Sequence, residues 1–366
     1  MQTNNSRATT TSTGADSSSR AGTQPADRPL GWAVVGLGVL TLDEILPAFA
    51  ECDLSVPVAL VSDDREKARA NAADYGIDEA SLYHYDNFDE IADNAAIDVV
   101  YIVLPNSMHA EYTIRALRAG KHVLCEKPMA PTVAECEQMI AVAEETGRKL
   151  MIAYRLHYEP FNQRVMELCQ QEAFGPIRTF SSSNCQNVDA PNIRLQKALG
   201  GGPVQDIGIY SINAARYITG EEPVEVVAFA EQPTDDPRFQ EVPASVSYLL
   251  RFPSGVLAHC DCSFASTSSQ RYRVHCQSGY IEMDPAFAYS DLALRIRDDQ
   301  QESGDVTSVE LPQINQFAAE IEHFSTCILN DKPPRTPGEE GLADVRIIVA
   351  IEEATRTGRA VRVASA

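Results

Sequence analysis

The stretch Gly31-Trp32-Ala33-Val34-Val35-Gly36-Leu37-Gly38-Val39-Leu40-Thr41 decides the fold class. Trp32 to Val35 is a short apolar run without alternation, as in a parallel strand covered on both faces. It ends in Gly36-Leu37-Gly38, and residues 41–50 read as a helix kinked at Pro47. A glycine pair between a strand and a helix is the setting of a dinucleotide-binding turn. The first glycine makes the tight turn. The second lets the backbone approach a pyrophosphate, whose charge sits at the helix N-terminus. Thr41 stands where a third Gly or Ala is usual, so the packing must admit a larger side chain. Gly36, Leu37, Gly38 and Val39 are therefore candidate cofactor-binding residues. The plain alternative is a turn without a ligand.

Outward from this turn, strands at 56–61, 82–85, 98–104, 122–125 and 150–154 alternate with helices at 64–75, 107–119 and 132–146. The alternation predicts an α/β N-terminal Rossmann domain, a doubly wound parallel sheet, over residues 30–154. After Tyr154 the rhythm breaks. Helices are predicted at 159–171, 204–218, 314–329 and 339–357. Strands are predicted at 224–230, 244–252, 256–263, 271–277, 280–283 and 292–297, with turns at Pro253-Ser254-Gly255 and Ser278-Gly279. Residues 155–366 thus read as an α+β C-terminal domain with a large, mostly antiparallel open sheet. Its C-terminal helix is placed to pack back on the first domain.

Of the first 29 residues, 11 are Ser or Thr, and the segment has neither an apolar signal core nor an Arg-Arg pair. It reads as a disordered N-terminal arm. The whole chain carries 52 acidic against 30 basic residues, a formal net charge of −22. Such a chain repels phosphate backbones, which speaks against nucleic acid as a partner. Only six of the basic residues are Lys, a balance that fits a high-salt cytoplasm and equally an ordinary acidic enzyme. No apolar run reaches the roughly 18–20 residues of a membrane helix. Nine Cys, without a C-x-x-C pair, read as free thiols in a cytoplasmic, reducing setting, and scattered His predict no metal site.

The end of the second strand reads Ser62-Asp63-Asp64-Arg65-Glu66-Lys67. A carboxylate first in this run would bind ribose hydroxyls and repel a 2′-phosphate. Ser62 is a neutral donor there, and Arg65 and Lys67 follow within a turn, which favours NADP, with NAD possible. Asp63 argues the other way, and the plain alternative is an ordinary helix start capped by Asp63 or Asp64.

Cys125-Glu126-Lys127-Pro128 ends a predicted strand, on the edge that faces the ligand crevice. A Lys there can bond sugar hydroxyls, and burial would lower its pKa enough to share protons. A cis Pro128 would fix its direction. Asp206 and Tyr210 are four residues apart, so on a helix they share a face and present a carboxylate and a phenol to one substrate. A phenol beside a cationic Lys can take a proton from a sugar hydroxyl. The plain readings are a helix cap for Asp206 and a core aromatic for Tyr210.

Glu126-Lys127-Pro128, Leu104-Pro105-Asn106-Ser107-Met108-His109 and Gly200-Gly201-Gly202-Pro203-Val204-Gln205-Asp206-Ile207-Gly208-Ile209-Tyr210 together resemble the Gfo/Idh/MocA oxidoreductase family. Tyr154-Arg155-Leu156-His157-Tyr158-Glu159-Pro160 is similar to its glucose–fructose oxidoreductase and NADP-dependent aldose dehydrogenase branch. The branch's Trp-Arg-Leu stands here as Ile193-Arg194-Leu195, without the Trp. The resemblance implies Lys127, Asp206 and Tyr210 as catalytic residues. It implies Leu104, Pro105, Asn106, His109 and Glu126 beside the cofactor, and Arg155, Tyr158 and Arg194 beside the substrate. Arg155 pairing with a carboxylate and Tyr158 in the core are the plain alternatives.

The implied activity is NADP-dependent oxidation of a glucose- or xylose-like aldose at C1 to the aldonolactone. A glucose–fructose-type oxidoreductase with tightly bound NADP, a polyol or cyclitol dehydrogenase, and a non-catalytic NADP-sensing regulator remain as alternatives. The family also implies a homodimer or homotetramer through the C-terminal sheet. In this branch an N-terminal arm can fold over the adenine, sometimes that of a neighbouring subunit, which would give Arg28 a place on the ring or a phosphate.

Overall fold

The computed structural model describes residues 28–301 and 304–364. Six parallel strands form the first sheet: β1 (Leu30–Val35), β2 (Ser55–Val61), β3 (Leu82–Tyr83), β4 (Val99–Ile102), β5 (His122–Glu126) and β6 (Leu150–Ala153). Their order is β3-β2-β1-β4-β5-β6. The chain reverses direction across the sheet between β1 and β4, and a crevice opens there beyond the carboxyl ends of the strands. The expected 41–50 helix is broken into a π turn Thr41–Ile45, the short α1 (Leu46–Ala48) around Pro47, and a 3-10 turn Phe49–Glu51. The connecting helices are α2 (Arg65–Asp74), α3 (His109–Arg118) and α4 (Val133–Thr146). Sequence signals set their ends. Thr132 and Glu135 form a reciprocal capping box at the start of α4, and Gly147 closes it in the left-handed conformation.

The second layer begins with α5 (Pro160–Gln170), β7 (Ile177–Asn187) and α6 (Ile209–Thr219). Its strands continue as β8 (Glu225–Glu231), β9 (Ser245–Arg251), β10 (Leu257–Ser263), β11 (Ala265–Cys276), β12 (Gly279–Met283), β13 (Leu294–Asp298) and β14 (Val306–Val309). Two helices, α7 (Gln316–Leu329) and α8 (Gly338–Thr357), and a last strand β15 (Val361–Arg362) complete the described chain. The nine strands are ordered β14-β13-β12-β11-β7-β10-β9-β8-β15. All pairs are antiparallel except β7 with β10.

The middle strand, β7, was not expected from the sequence, and β11 starts six residues before the predicted strand. In Ile177–Asn187 only Phe180, Cys185 and the terminal Ile177 are apolar, so the run carries no two-residue period. It is held by neighbours on both sides rather than by its own pattern.

The end of the chain returns to the first sheet. Trp32 of β1 is fully buried, donates through Nε1 to Ser325 Oγ of α7 at 3.2 Å, and meets Phe49, Tyr101 and Phe324 edge-on. Arg28 corrects an expectation. Its guanidinium pairs with Asp98 at 2.8 Å, and Asp98 also accepts from Gly31 N. That is the amino end of β1 and β4, opposite the Gly36 turn, so Arg28 does not reach the cofactor crevice of its own chain. The rest of the proposed arm, residues 1–27, lies outside the described residues.

Candidate active site

A cavity of about 970 Å³ lies between the carboxyl ends of the first sheet and the inner edge of the second layer. At one end is the glycine turn. Gly36 has φ +95°, and a Cβ there would stand 2.2 Å from Val103 O, so only glycine fits. Thr41 takes the third position without crowding, because its hydroxyl donates to Gly36 O at 2.6 Å and latches the turn. A Cβ on Gly38 would meet nothing within 4 Å, so this backbone is open to the cavity. The cradle fits a dinucleotide pyrophosphate, and Leu37 and Val39 line it with the two glycines.

Ser62 lines the next part of the wall, with Asp63, Asp64, Lys67 and Tyr85. Its hydroxyl accepts from Asp64 N at 3.1 Å, and Asp64 caps α2 by accepting from Lys67 N. Arg65 is not part of this wall. It turns outward to Glu79, which also binds Arg69, leaving Lys67 as the cation of the expected set that lines the cavity.

Leu104, Pro105 and Asn106 line the cavity beyond β4, and Asn106 Nδ2 donates to Gly200 O at 2.8 Å across to the second layer. His109 was expected beside the cofactor and is instead wholly buried. Its two ring nitrogens lie 2.8 Å from Pro128 O and from Leu104 O, so it braces two site loops from behind.

Lys127 occupies the centre, and its peptide bond to Pro128 is cis. Nζ donates to the Asp206 carbonyl at 2.7 Å, lies 3.6 Å from Asp206 Oδ1, and stands 4.6 Å from the centre of the Tyr210 ring. Burial works against its charge, yet Tyr210, then Asp206 and Glu126, outweigh it and hold the ammonium above its ordinary pKa. This corrects the expectation of a lowered lysine: Lys127 is a fixed cation. Behind it, Glu126 Oε1 accepts from Tyr101 Oη and Oε2 from Lys127 N.

Asp206 sits in a π turn, Val204–Gly208, immediately before α6. Its Oδ2 accepts from Arg194 Nε at 2.7 Å, so the carboxylate bridges Arg194 and Lys127. Asn184 Nδ2 of β7 donates to Ile207 O and pins this turn. Tyr210 follows, half-buried, with its ring against Phe287.

Two expected substrate contacts stand differently. Arg155 lines the cavity but commits its guanidinium to holding the 287–288 backbone, with Nη2 donating to Phe287 O at 2.6 Å and Nη1 to Ala288 O at 3.2 Å. It braces a wall, and its partners are carbonyls rather than a carboxylate. Tyr158 faces away from the cavity. Its hydroxyl lies 2.8 Å from Thr336 Oγ1 and its ring packs on His323, so it belongs to the core.

Sequence reasoning missed Asn184 and Gln186, which lie on the unforeseen β7. It also missed Phe287 and Tyr289 on a loop, and Phe317 and Glu320 on α7. Only the last two had a signal, the helical period of α7, which marks an inward face but not a ligand.

Comparison with known proteins matches both layers of the chain to one family. The family description "Oxidoreductase family, NAD-binding Rossmann fold" matches residues 30–154, and "GFO/IDH/MocA C-terminal domain" matches residues 162–282. The chain is 34 % identical to the NADP-dependent D-xylose 1-dehydrogenase of Haloarcula marismortui, over 92 % of this chain and 94 % of that one. It is 30 % identical to D-xylose 1-dehydrogenase (NADP(+)) 2 of Haloferax volcanii, over 90 % and 98 %. Among solved structures, the aldose–aldose oxidoreductase of Caulobacter crescentus with glycerol is similar at TM-score 0.88 and 46 % identity, covering 92 % of this chain and all of that one.

Proposed function

The chain belongs to the Gfo/Idh/MocA oxidoreductase family, and on that premise we propose that it oxidises an aldose at C1 to the aldonolactone with NADP as acceptor. The observation that carries this reading is the convergence of Lys127, Asp206 and Tyr210 in the same cavity as the Gly36–Gly38 cradle. NADP, when bound, supplies the hydride acceptor. Gly36, Gly38, Ser62, Lys67 and Asn106 hold and orient it.

Tyr210 Oη takes the proton of the sugar C1 hydroxyl. Tyr210 does this as its phenolate; Lys127 Nζ, a fixed ammonium against the Tyr210 ring, polarises the sugar hydroxyl and stabilises that phenolate charge until the incoming proton neutralises it. Asp206 accepts from a sugar hydroxyl while Arg194 holds its other oxygen in place. Phe287 and Tyr289 wall the sugar end with apolar surface. The identity to the two xylose dehydrogenases supports a pentose or hexose aldose as substrate.

A second reading, oxidoreduction between two aldoses with the cofactor retained, is supported by the 46 % identity to the Caulobacter enzyme. One experiment tests both. Purified protein is examined for nicotinamide absorbance before and after D-xylose or D-glucose, with and without added NADP. Turnover that requires added NADP and yields lactone supports the dehydrogenase. Reduction of bound cofactor alone, reversed by a second aldose, supports the retained form. No reduction with any aldose sinks both.

The outer face of the second sheet carries Val227, Leu249 and an exposed Phe229, which supports association of copies through it. Nine free cysteines support a cytoplasmic, reducing location. Among the described residues no helix is long and apolar enough to cross a membrane.

A further inference from the structure

Glu320 is a buried carboxyl without a partner among the described residues. It lies on α7, is 1 % exposed, and belongs to the cavity wall. Its Oε1 is sealed from water and unbonded, and the carboxyl makes no hydrogen bond or ion pair with any described residue. Buried polar groups are rarely left so, because water is lost and nothing replaces it. Arg155 Nε on the same wall is also orphaned. Two unmet groups at one place mark a ligand contact, and the proton-transfer chemistry at Lys127 and Tyr210 uses neither.

The position narrows the ligand. Glu320 is felt electrostatically by Glu126 and Tyr101, which stand in β5 and β4 of the nucleotide-binding sheet. The polar groups assigned to the sugar, Asp206 and Arg194, are bonded to each other on the wall built by the second layer, and Gln186 also meets Asp206 there. Glu126 already uses both oxygens as acceptors. We propose that Glu320 pairs with the carboxamide of the nicotinamide ring and so fixes which way the ring turns at the reacting end; this rests on the NADP reading above.

Burial, reinforced by Glu126, holds the Glu320 carboxyl well above the usual carboxylate range, which favours its protonated form. A protonated carboxyl offers one donor and one acceptor in a plane. A primary carboxamide offers the complement, an acceptor oxygen and a donor NH2, and the two close in two parallel hydrogen bonds. A single sugar hydroxyl cannot meet both sites in that arrangement.

The test compares NADP with its 3-acetylpyridine analogue, in which a methyl replaces the carboxamide NH2. Binding of each to the full-length chain, freed of retained nucleotide, is measured by titration calorimetry. Wild type is expected to bind NADP about tenfold more tightly than the analogue, as for one lost buried hydrogen bond. Glu320→Leu should bring that ratio close to one. Glu320→Gln, whose amide can pair as the protonated acid does, should keep it.

Wild type binding both nucleotides equally overturns the proposal even if Glu320→Leu fails to fold. A ratio unchanged in Glu320→Leu overturns it too, and a raised aldose KM in that variant would then assign Glu320 to the sugar. Failure of wild type to bind NADP at all overturns the cofactor reading itself, so the two failures are distinct.

Discussion

The two sheets contribute to one cavity in different ways. The parallel sheet works through strand ends. Gly36, Ser62, Leu104 and Lys127 each lie just beyond a strand, and several act through backbone geometry that the strand order imposes. The second sheet contributes Asn184 and Gln186 from the carboxyl-terminal part of its middle strand, and otherwise serves as a platform. On it rest the Asp206 turn, α6 with Tyr210, and the loop with Phe287. Binding of a dinucleotide is thus built into topology, whereas the reacting groups depend on individual side chains held across the interface by contacts such as Lys127 Nζ to Asp206 O. Changes on the first side should alter which nucleotide binds. Changes at the junction should alter rate.

The largest effect is expected at the junction. Lys127→Met should leave folding and NADP affinity nearly intact and lower kcat by ~10²–10⁴, the range for a positioned proton-transfer group. Steady-state kinetics beside nucleotide titration checks it, and wild-type turnover would break the division of labour. Tyr210→Phe removes one hydroxyl at nearly constant volume, so thermal stability should hold while kcat falls by a similar order. Full activity in this variant would return Tyr210 to the core.

On the nucleotide side, Ser62→Asp sets a carboxylate where a 2′-phosphate would lie. Two unit charges roughly 4 Å apart at an effective dielectric of about 20 interact by about 4 kcal/mol, less after screening. The NADP:NAD affinity ratio should fall at least about tenfold with little change in kcat. An unchanged ratio would mean that the second strand does not select the nucleotide.

The smallest effect is one of pH. Burial, with Arg148 and Lys149 nearby, pushes His122 at the start of β5 down to about 4, so folding keeps it neutral and its Nδ1 accepts from Lys149 N. The unfolded chain takes up this proton near pH 6.5. The stabilisation is therefore complete above that pH and is lost as pH falls toward 4, by up to about 3 kcal/mol. Hydrogen exchange corrected for its intrinsic rate should show β5 losing protection over this window more than β9 and β10 do. Equal loss in both sheets would remove His122 as the cause.

The same contrast explains what was legible in the sequence. The first sheet announces itself, because fully buried strands such as β1 and β4 are unbroken apolar runs and their turns carry glycine. Lys127, Asp206 and Tyr210 were legible only through motif resemblance; spacing alone left Asp206 a cap and Tyr210 a core ring. β7 was invisible because Ser181-Ser182-Ser183-Asn184 gains its strand character from β10 and β11. His109 and Tyr158 were misplaced for a related reason. A polar side chain next to a site can point into it or brace it from behind, and only the tertiary partners, Pro128 O and Thr336, decide which. The direction of the Lys127 shift was misjudged because burial was weighed without Tyr210, Asp206 and Glu126 beside it.

Transfer of label from the sugar tests the central claim most directly. The enzyme is given D-xylose deuterated at C1 with NADP, or with its bound cofactor if that is retained, and the reduced nucleotide is examined by mass spectrometry. One deuterium is expected in the reduced nucleotide, with lactone as the sugar product and with the rate of transfer sharply lowered in Lys127→Met and Tyr210→Phe. Reduced nucleotide without deuterium, or transfer undiminished in both variants, would contradict that claim.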